Sequence, residues 1–269
     1  MMERPPARLF CALSQSEEHN IVLRRGPSRQ VAVFGWNRKN DTFQLGQWLK
    51  GKIYEHRVDI SPDGRYFIYL ALGRGAKTWT AVSRTPYFKA LDFYPWSGTW
   101  GGGGIFQNSR SYSLNGSCLL DEARRESGLA LVGLEKSQGI GSVHSASLYS
   151  YRLFRDGWSL VSKANQTGDH TTRFDKPCSK NWVLRKCVKA GQRRNRATGY
   201  EYHELVRPGD SMTRAMPDWE WAEVDGKTLV WAERGCLYRA QLDRKGTLID
   251  QRPIHDFNDY EFEEREAPY

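Results

Sequence analysis

The stretch Asp218 to Ile254, DWEWAEVDGKTLVWAERGCLYRAQLDRKGTLIDQRPI, constrains the fold more than any other part of the chain. Runs rich in Trp, Val, Leu and Tyr alternate with short groups of turn formers, the pattern of strands separated by tight reversals. Trp219 to Val224 reads as one strand and Lys227 to Glu233 as the next, reversed at Asp225-Gly226. Arg234-Gly235 turns the chain into Cys236 to Leu242, and Asp243 to Gly246 turns it again into Thr247 to Ile254. Strands joined this closely predict a four-stranded antiparallel meander.

The same signals recur upstream. Arg8 to Ser14, Ile21 to Arg25, Gln30 to Trp36 and Thr42 to Leu49 predict a first unit, with the polar turn Asn37 to Asp41 before its last strand. Tyr66 to Leu72, Trp79 to Ser83 and Tyr87 to Phe93 predict a second, and Leu119 to Arg124 with Leu129 to Leu134 continue the series. Asn165 to Lys180 has no periodicity and reads as a loop, followed by a hairpin of Trp182 to Val188 with Gly199 to Val206. The string Leu148-Tyr149-x-x-x-Leu153-x-Arg155-x-Gly157 returns as Leu237-Tyr238-x-x-x-Leu242-x-Arg244-x-Gly246, an offset of 237 − 148 = 89 residues. Propeller repeats run at about 40 to 50 residues, so the offset reads as two repeats.

The expected fold is therefore an all-β propeller of about five four-stranded blades, within a range of about four to seven. Residues 1–269 form one domain in this reading, with inserted loops near 135–146 and 164–180 and a basic hairpin tip at 189–198. The ring would be closed by pairing of the terminal segments, using the alternation of Tyr260 and Phe262.

Between an extended segment and the apolar run Tyr66 to Leu72 stands Ser61-Pro62-Asp63-Gly64-Arg65. Pro presets φ and Asp-Gly supplies the reversal, so the string is a turn on physical grounds alone. It also resembles the S-P-D-G-R hairpin of TolB-like and related propeller repeats. That resemblance implies the superfamily only, whose members include transport, signalling and peptidase-associated proteins.

Composition narrows the function classes. A mean hydropathy of −0.68 and the lack of a run of about 18 apolar residues exclude a helical membrane span. The leader MMERPPARLFCALSQS has too short an apolar stretch for a secretory signal, so the cytoplasm is the expected compartment. Cys11, Cys118, Cys178, Cys187 and Cys236 are scattered without CxxC spacing, which points to reduced thiols and not to a zinc site. The six histidines show no HExxH or HxH spacing, so neither a metal nor a cofactor is expected. In His203-Glu204 the two side chains point to opposite faces of a strand and cannot act together.

The formal charge of +9 is unevenly spread. From Lys180 to Tyr200 there are seven Lys or Arg and no acid, whereas Asp256 to Glu266 holds six acids against Arg265. Lys186, Lys189, Arg193, Arg194 and Arg196 are accordingly the candidates for binding a partner or an anion. Trp96 and Trp100 with Gly101, Gly102, Gly103 and Gly104 are the candidates for a ligand loop, because consecutive glycines permit a close backbone approach. The leading functional expectation is a non-catalytic scaffold that docks a protein partner, one of acidic character for the basic loop, through face loops and that loop. The alternatives are a hydrolase or lyase with its site at the central channel, and a polyanion or nucleic-acid binder using 180–200.

Overall fold

The computed structural model describes residues 5–116, 122–133, 145–164, 170–189, 200–210 and 212–269. Among the described residues the architecture is all-β, with five sheets and one α-helix. The chain divides into two compact units. The first comprises Phe10–Arg152 and Tyr260–Tyr269, and the second Pro6–Leu9 and Leu153–Asp259.

The first sheet is the meander β1 (Arg8–Ala12), β2 (Asn20–Arg25), β3 (Gln30–Asn37) and β4 (Thr42–Lys50), as its hydrophobic runs predict. The second contains β5 (Lys52–Ile53), β6 (Asp59–Ile60), β7 (Tyr66–Leu72), β8 (Thr78–Arg84) and β9 (Ala90–Trp96). Strands β10 (Gly104–Asn108) and β11 (Ser111–Leu114) form a hairpin of the third sheet. Next in the chain, β12 (Arg124–Arg125) pairs with β9 at the edge of the second sheet, and β13 (Ala130–Leu131) pairs in parallel with β11. Ile68, Val82, Tyr94, Phe106, Tyr112 and Leu129 make a core cluster of this unit.

The helix α1 (Ser145–Arg155) follows. In the second unit, β14 (Ser159–Ser162), β15 (Thr171–Pro177), β16 (Val183–Lys189), β17 (Tyr200–Arg207) and β18 (Met212–Met216) run as a five-stranded meander. The last sheet is the meander of β19 (Trp221–Asp225), β20 (Thr228–Glu233), β21 (Cys236–Leu242) and β22 (Leu248–Asp256).

The turns follow local chemistry. Ser61 Oγ donates to Asp63 Oδ1 (2.6 Å), Tyr66 N donates to Ser61 Oγ (3.0 Å), and Gly64 takes φ +72° directly against the His19 carbonyl. Only glycine fits both that φ and that approach. Asp225 pairs with Thr228, so the two loop residues are Gly226 and Lys227, one position later than the sequence suggests. Glycine then occupies the first central position at φ +60°, where a type II′ reversal needs it. Between Glu233 and Cys236, Arg234 (φ +50°) and Gly235 (φ +81°) are both left-handed, as in a type I′ turn.

Two expectations are overturned. Leu148 to Gly157 does not repeat Leu237 to Gly246, because the first string is the end of a helix and the second lies in a strand and its turn. Leu148, Tyr149, Arg152 and Leu153 are buried at helical spacing. Gly157 N donates to Phe154 O and Trp158 N to Leu153 O, with Gly157 at φ +87°, which is a Schellman stop. Gly246, also left-handed at φ +80°, instead closes the hairpin turn at Asp243, whose carbonyl accepts its N–H. The second correction concerns 165–180, where Thr171–Pro177 is a fully paired strand. Its charged residues hid the alternation because they meet partners across the ladder, such as Asp175 opposite Arg185. Cys118, the first half of the expected strand Leu119 to Arg124 and most of the loop near 135–146 fall outside the described residues. Residues 257–269 form no strand; the rings of Tyr260 and Phe262 meet Phe34 and Trp48 of the first sheet.

Candidate functional site

The glycine-rich segment lies between β9 and β10 in the first unit. Arg57, 5% exposed, donates to the carbonyls of Trp100 (3.1 Å) and Gly101 from beneath. Thr78 Oγ1 donates to Trp96 O (2.7 Å) and Gly98 O (2.9 Å), Gly103 N donates to Thr80 Oγ1 (2.7 Å), and Asn115 exchanges bonds with Gly102. Burial pulls the Arg57 guanidinium below its ordinary pKa, against the opposing charge interaction with Tyr54.

The close approach that the glycines permit is to the chain itself. A Cβ on Gly101 would stand 2.1 Å from the Trp96 ring, and one on Gly103 would stand 2.7 Å from the Arg57 backbone. Gly102, Gly103 and Gly104 are buried. These three glycines are thus corrected from ligand contacts to packing positions, and Gly101 serves as the seat of Trp96. Trp100 is different: it is 86% exposed at the tip of a loop whose backbone is held on several sides.

In the second unit, the face of β15, β16 and β17 carrying Phe174, Leu184 and Leu205 also carries Lys186, Glu201 and His203. Lys186 is 1% exposed; its Nζ donates to Glu201 Oε1 (2.8 Å) and Ala222 O (3.3 Å) and lies 4.8 Å from the Trp158 ring centre. His203, fully buried, places Nε2 3.1 Å from the same Glu201 oxygen and Nδ1 3.1 Å from Trp219 O. A carbonyl only accepts, so Nδ1 carries a proton. Beside them, Glu223 pairs with Lys176 (2.9 Å) and accepts from Trp158 Nε1 (3.1 Å). Lysines balanced by glutamates, Lys186 with Glu201 enclosed and Lys176 with Glu223 half-buried, make a paired polar cluster in this unit.

Lys186 is therefore corrected from a surface contact to a core cation. Arg185, its neighbour in the basic run, forms a two-pronged pair with Asp175 (2.7 and 2.8 Å). Lys189 ends β16 and is half-buried, while Arg193, Arg194 and Arg196 lie outside the described residues.

A groove of about 540 Å³ in the same unit is lined by Pro177, Trp182, Arg207, Pro208 and Asp210, among others. Arg207 sits 5.5 Å from the Trp182 ring centre and binds Asp210 through two nitrogens, holding that carboxyl below its usual range. Its fork of donors is turned toward Asp210 and so is poorly placed for an incoming anion. No local motif announced this groove, because its walls come from two turns about 30 residues apart. Among the described residues no group of three or more His, Cys, Asp or Glu is arranged to hold a metal ion, and no helix is long and apolar enough to cross a membrane.

No family model matches the chain, and no curated protein is similar to it. Among solved structures, the 1.18 Å crystal structure of an uncharacterized protein from Listeria monocytogenes EGD-e is similar at 10% identity with a TM-score of 0.33. The similarity covers 91% of this chain and 66% of that one, and at this score it carries neither fold nor function across.

Proposed function

We propose that this chain is a non-catalytic interaction module that docks a protein partner through the loop bearing Trp100, and that its five sheets are blades of a β-propeller. The carrying observation is the combination at that loop: a tryptophan 86% exposed on a backbone fixed by Arg57, Thr78, Thr80 and Asn115. Tryptophan is enriched among the residues that dominate interface energies. A loop already held in one conformation loses little entropy on docking, so more of the contact energy appears as affinity. The blade arrangement rests on three uninterrupted meanders, β1 to β4, β14 to β18 and β19 to β22, which are the units such a ring repeats.

The test places a photo-crosslinking amino acid at the exposed position 97, in the same loop as Trp100, and compares the chain with and without Trp100→Ala. A discrete crosslinked protein that disappears in the substituted chain, with unchanged thermal unfolding, supports the reading. Crosslinking indifferent to Trp100 overturns it. An experimental structure whose sheets do not surround a common axis would refute the blade arrangement separately.

A further inference from the structure

We propose that β4 and the turn Arg84 to Lys89 form a binding site for an extended acidic peptide with aromatic residues at i and i+2, held closed by residues 260–269 of the same chain. The site lies in the first unit, on an edge strand, where main-chain groups and alternate side chains are presented outward.

The receptor side is built independently of the tail. Gln47 Oε1 accepts from Phe88 N (2.7 Å) and Lys89 N (3.0 Å), which aims its Nε2 at the tail, where it donates to Arg265 O (2.8 Å). Gly46 runs so close to Pro86 that an added Cβ would stand 1.6 Å from the Pro86 carbonyl oxygen, so strand and turn form one surface.

The tail meets this surface by separable side-chain anchors. Tyr260 sets its edge on Phe34 (4.7 Å between centres) and Phe262 does so on Trp48 (5.9 Å), with Lys50 Nζ 4.3 Å from the Phe262 ring. Arg265 donates to Leu45 O (2.6 Å) and Lys50 pairs with Glu264 (3.5 Å). Tyr269 donates to Lys89 O (2.8 Å), accepts from Arg84 N (3.1 Å), and burial pushes its phenol up to about 12, which keeps it a donor.

Charge and satisfaction define the ligand. Lys50, Arg84 and Lys89 face a segment carrying Glu261, Glu263, Glu264 and Glu266, an arrangement that selects acidic sequences and sets their register. The tail is also an imperfect occupant, since it leaves the buried Trp48 Nε1 without an acceptor among the described residues. A partner peptide that supplies one gains a bond the tail lacks. A tethered segment competes at an effective concentration on the order of mM, so the site opens only to such a better ligand or when an anchor is lost.

The experiment titrates a labelled peptide of sequence DYEFEEREAPY into the full chain, with fluorescence anisotropy as readout. Phe262→Ala loosens the tail and leaves the receptor residues intact; Arg265→Ala, at an exposed site, serves the same purpose should the first variant unfold. The peptide should bind the loosened chains at least about ten-fold more tightly than the wild type, because the fraction of open sites rises. Adding Trp48→Ala, or replacing the peptide residues that correspond to Tyr260 and Phe262 by Ala, should abolish that binding. Equal affinity for wild-type and loosened chains, no binding to a folded loosened chain, or binding that survives Trp48→Ala would each overturn the proposal.

Discussion

The hydroxyl of Tyr112 donates to the carboxylate of Asp92 at 2.6 Å, with both residues fully buried in the first unit. Asp92 also accepts from Glu126 N and Ser127 N at 2.8 Å and from Ser127 Oγ at 2.5 Å. One carboxylate thereby fixes the segment after β12 against β9. Burial, reinforced by bonds to Asp92 and Tyr94, drives the Tyr112 phenol far above its ordinary pKa and keeps it a donor. Asp92→Asn replaces the oxygen that accepts from the Tyr112 and Ser127 hydroxyls by an amide donor, so both hydroxyls must turn away from their present bonds. It should cost about 1 to 3 kcal/mol in urea unfolding, and Tyr112→Phe should cost less.

Lys186 and Glu201 give a second measurement. Lys186→Met removes the cation that the enclosed Glu201 carboxylate faces at 2.8 Å and should cost about 3 to 5 kcal/mol. Removing both charges, as Lys186→Met with Glu201→Gln, should recover a substantial part of that loss. Denaturant titration of the single and double variants decides it. With Glu201→Gln measured alone as well, a double-variant loss equal to the sum of the two single losses would show that the pair is not coupled.

Leu237 is fully buried in β21, and Leu237→Ala should cost about 2 to 5 kcal/mol as a core cavity. A loss below about 1 kcal/mol in urea titration would place the side chain outside the core.

At the Trp100 loop, stability and display separate. Gly103→Ala forces a side chain into φ +74° against the Arg57 backbone and should destabilise the chain by more than about 1 kcal/mol. Trp100→Ala, at an exposed position, should change thermal stability by no more than about 0.5 kcal/mol.

Burial pushes the Cys187 thiol up to about 12, and Cys187 has no exposed surface. At pH 8 it should resist a thiol reagent in the folded chain and react once urea unfolds it. In the unfolded chain the thiol loses its proton near about pH 8.5, before the folded chain does. Its contribution to stability is therefore complete below that pH and declines as pH rises toward 12. Unfolding titrations at pH 7.5 and 10 should show the decline, which Cys187→Ala should reduce.

What was legible in the chain was local. Asp63-Gly64, Arg234-Gly235 and Asp243 to Gly246 specify reversals because the positive φ and the side-chain bonds they need lie within a few residues. The strands flanking them followed from alternation, and so did the all-β class. Two segments were illegible for the same reason. Leu148 to Gly157 fits a helix stripe or a hairpin equally well on paper, and Thr171 to Pro177 shows no apolar period because its charges are answered from β16.

The charge run from Lys180 to Tyr200 marks the boundary between the two kinds of information. By itself the sequence determined its composition, its excess of cations and the hairpin that carries it, all properties of neighbouring residues. Only the tertiary structure decided that Arg185 answers Asp175 and that Lys186 lies inside, bonded to Glu201 and Ala222. It likewise decided that the glycines after Trp100 serve packing while Trp100 itself faces solvent. Turn geometry depends on φ and ψ over a few bonds. Burial and pairing depend on which distant strand the sheet lays alongside, and that is set by the register of the whole ladder.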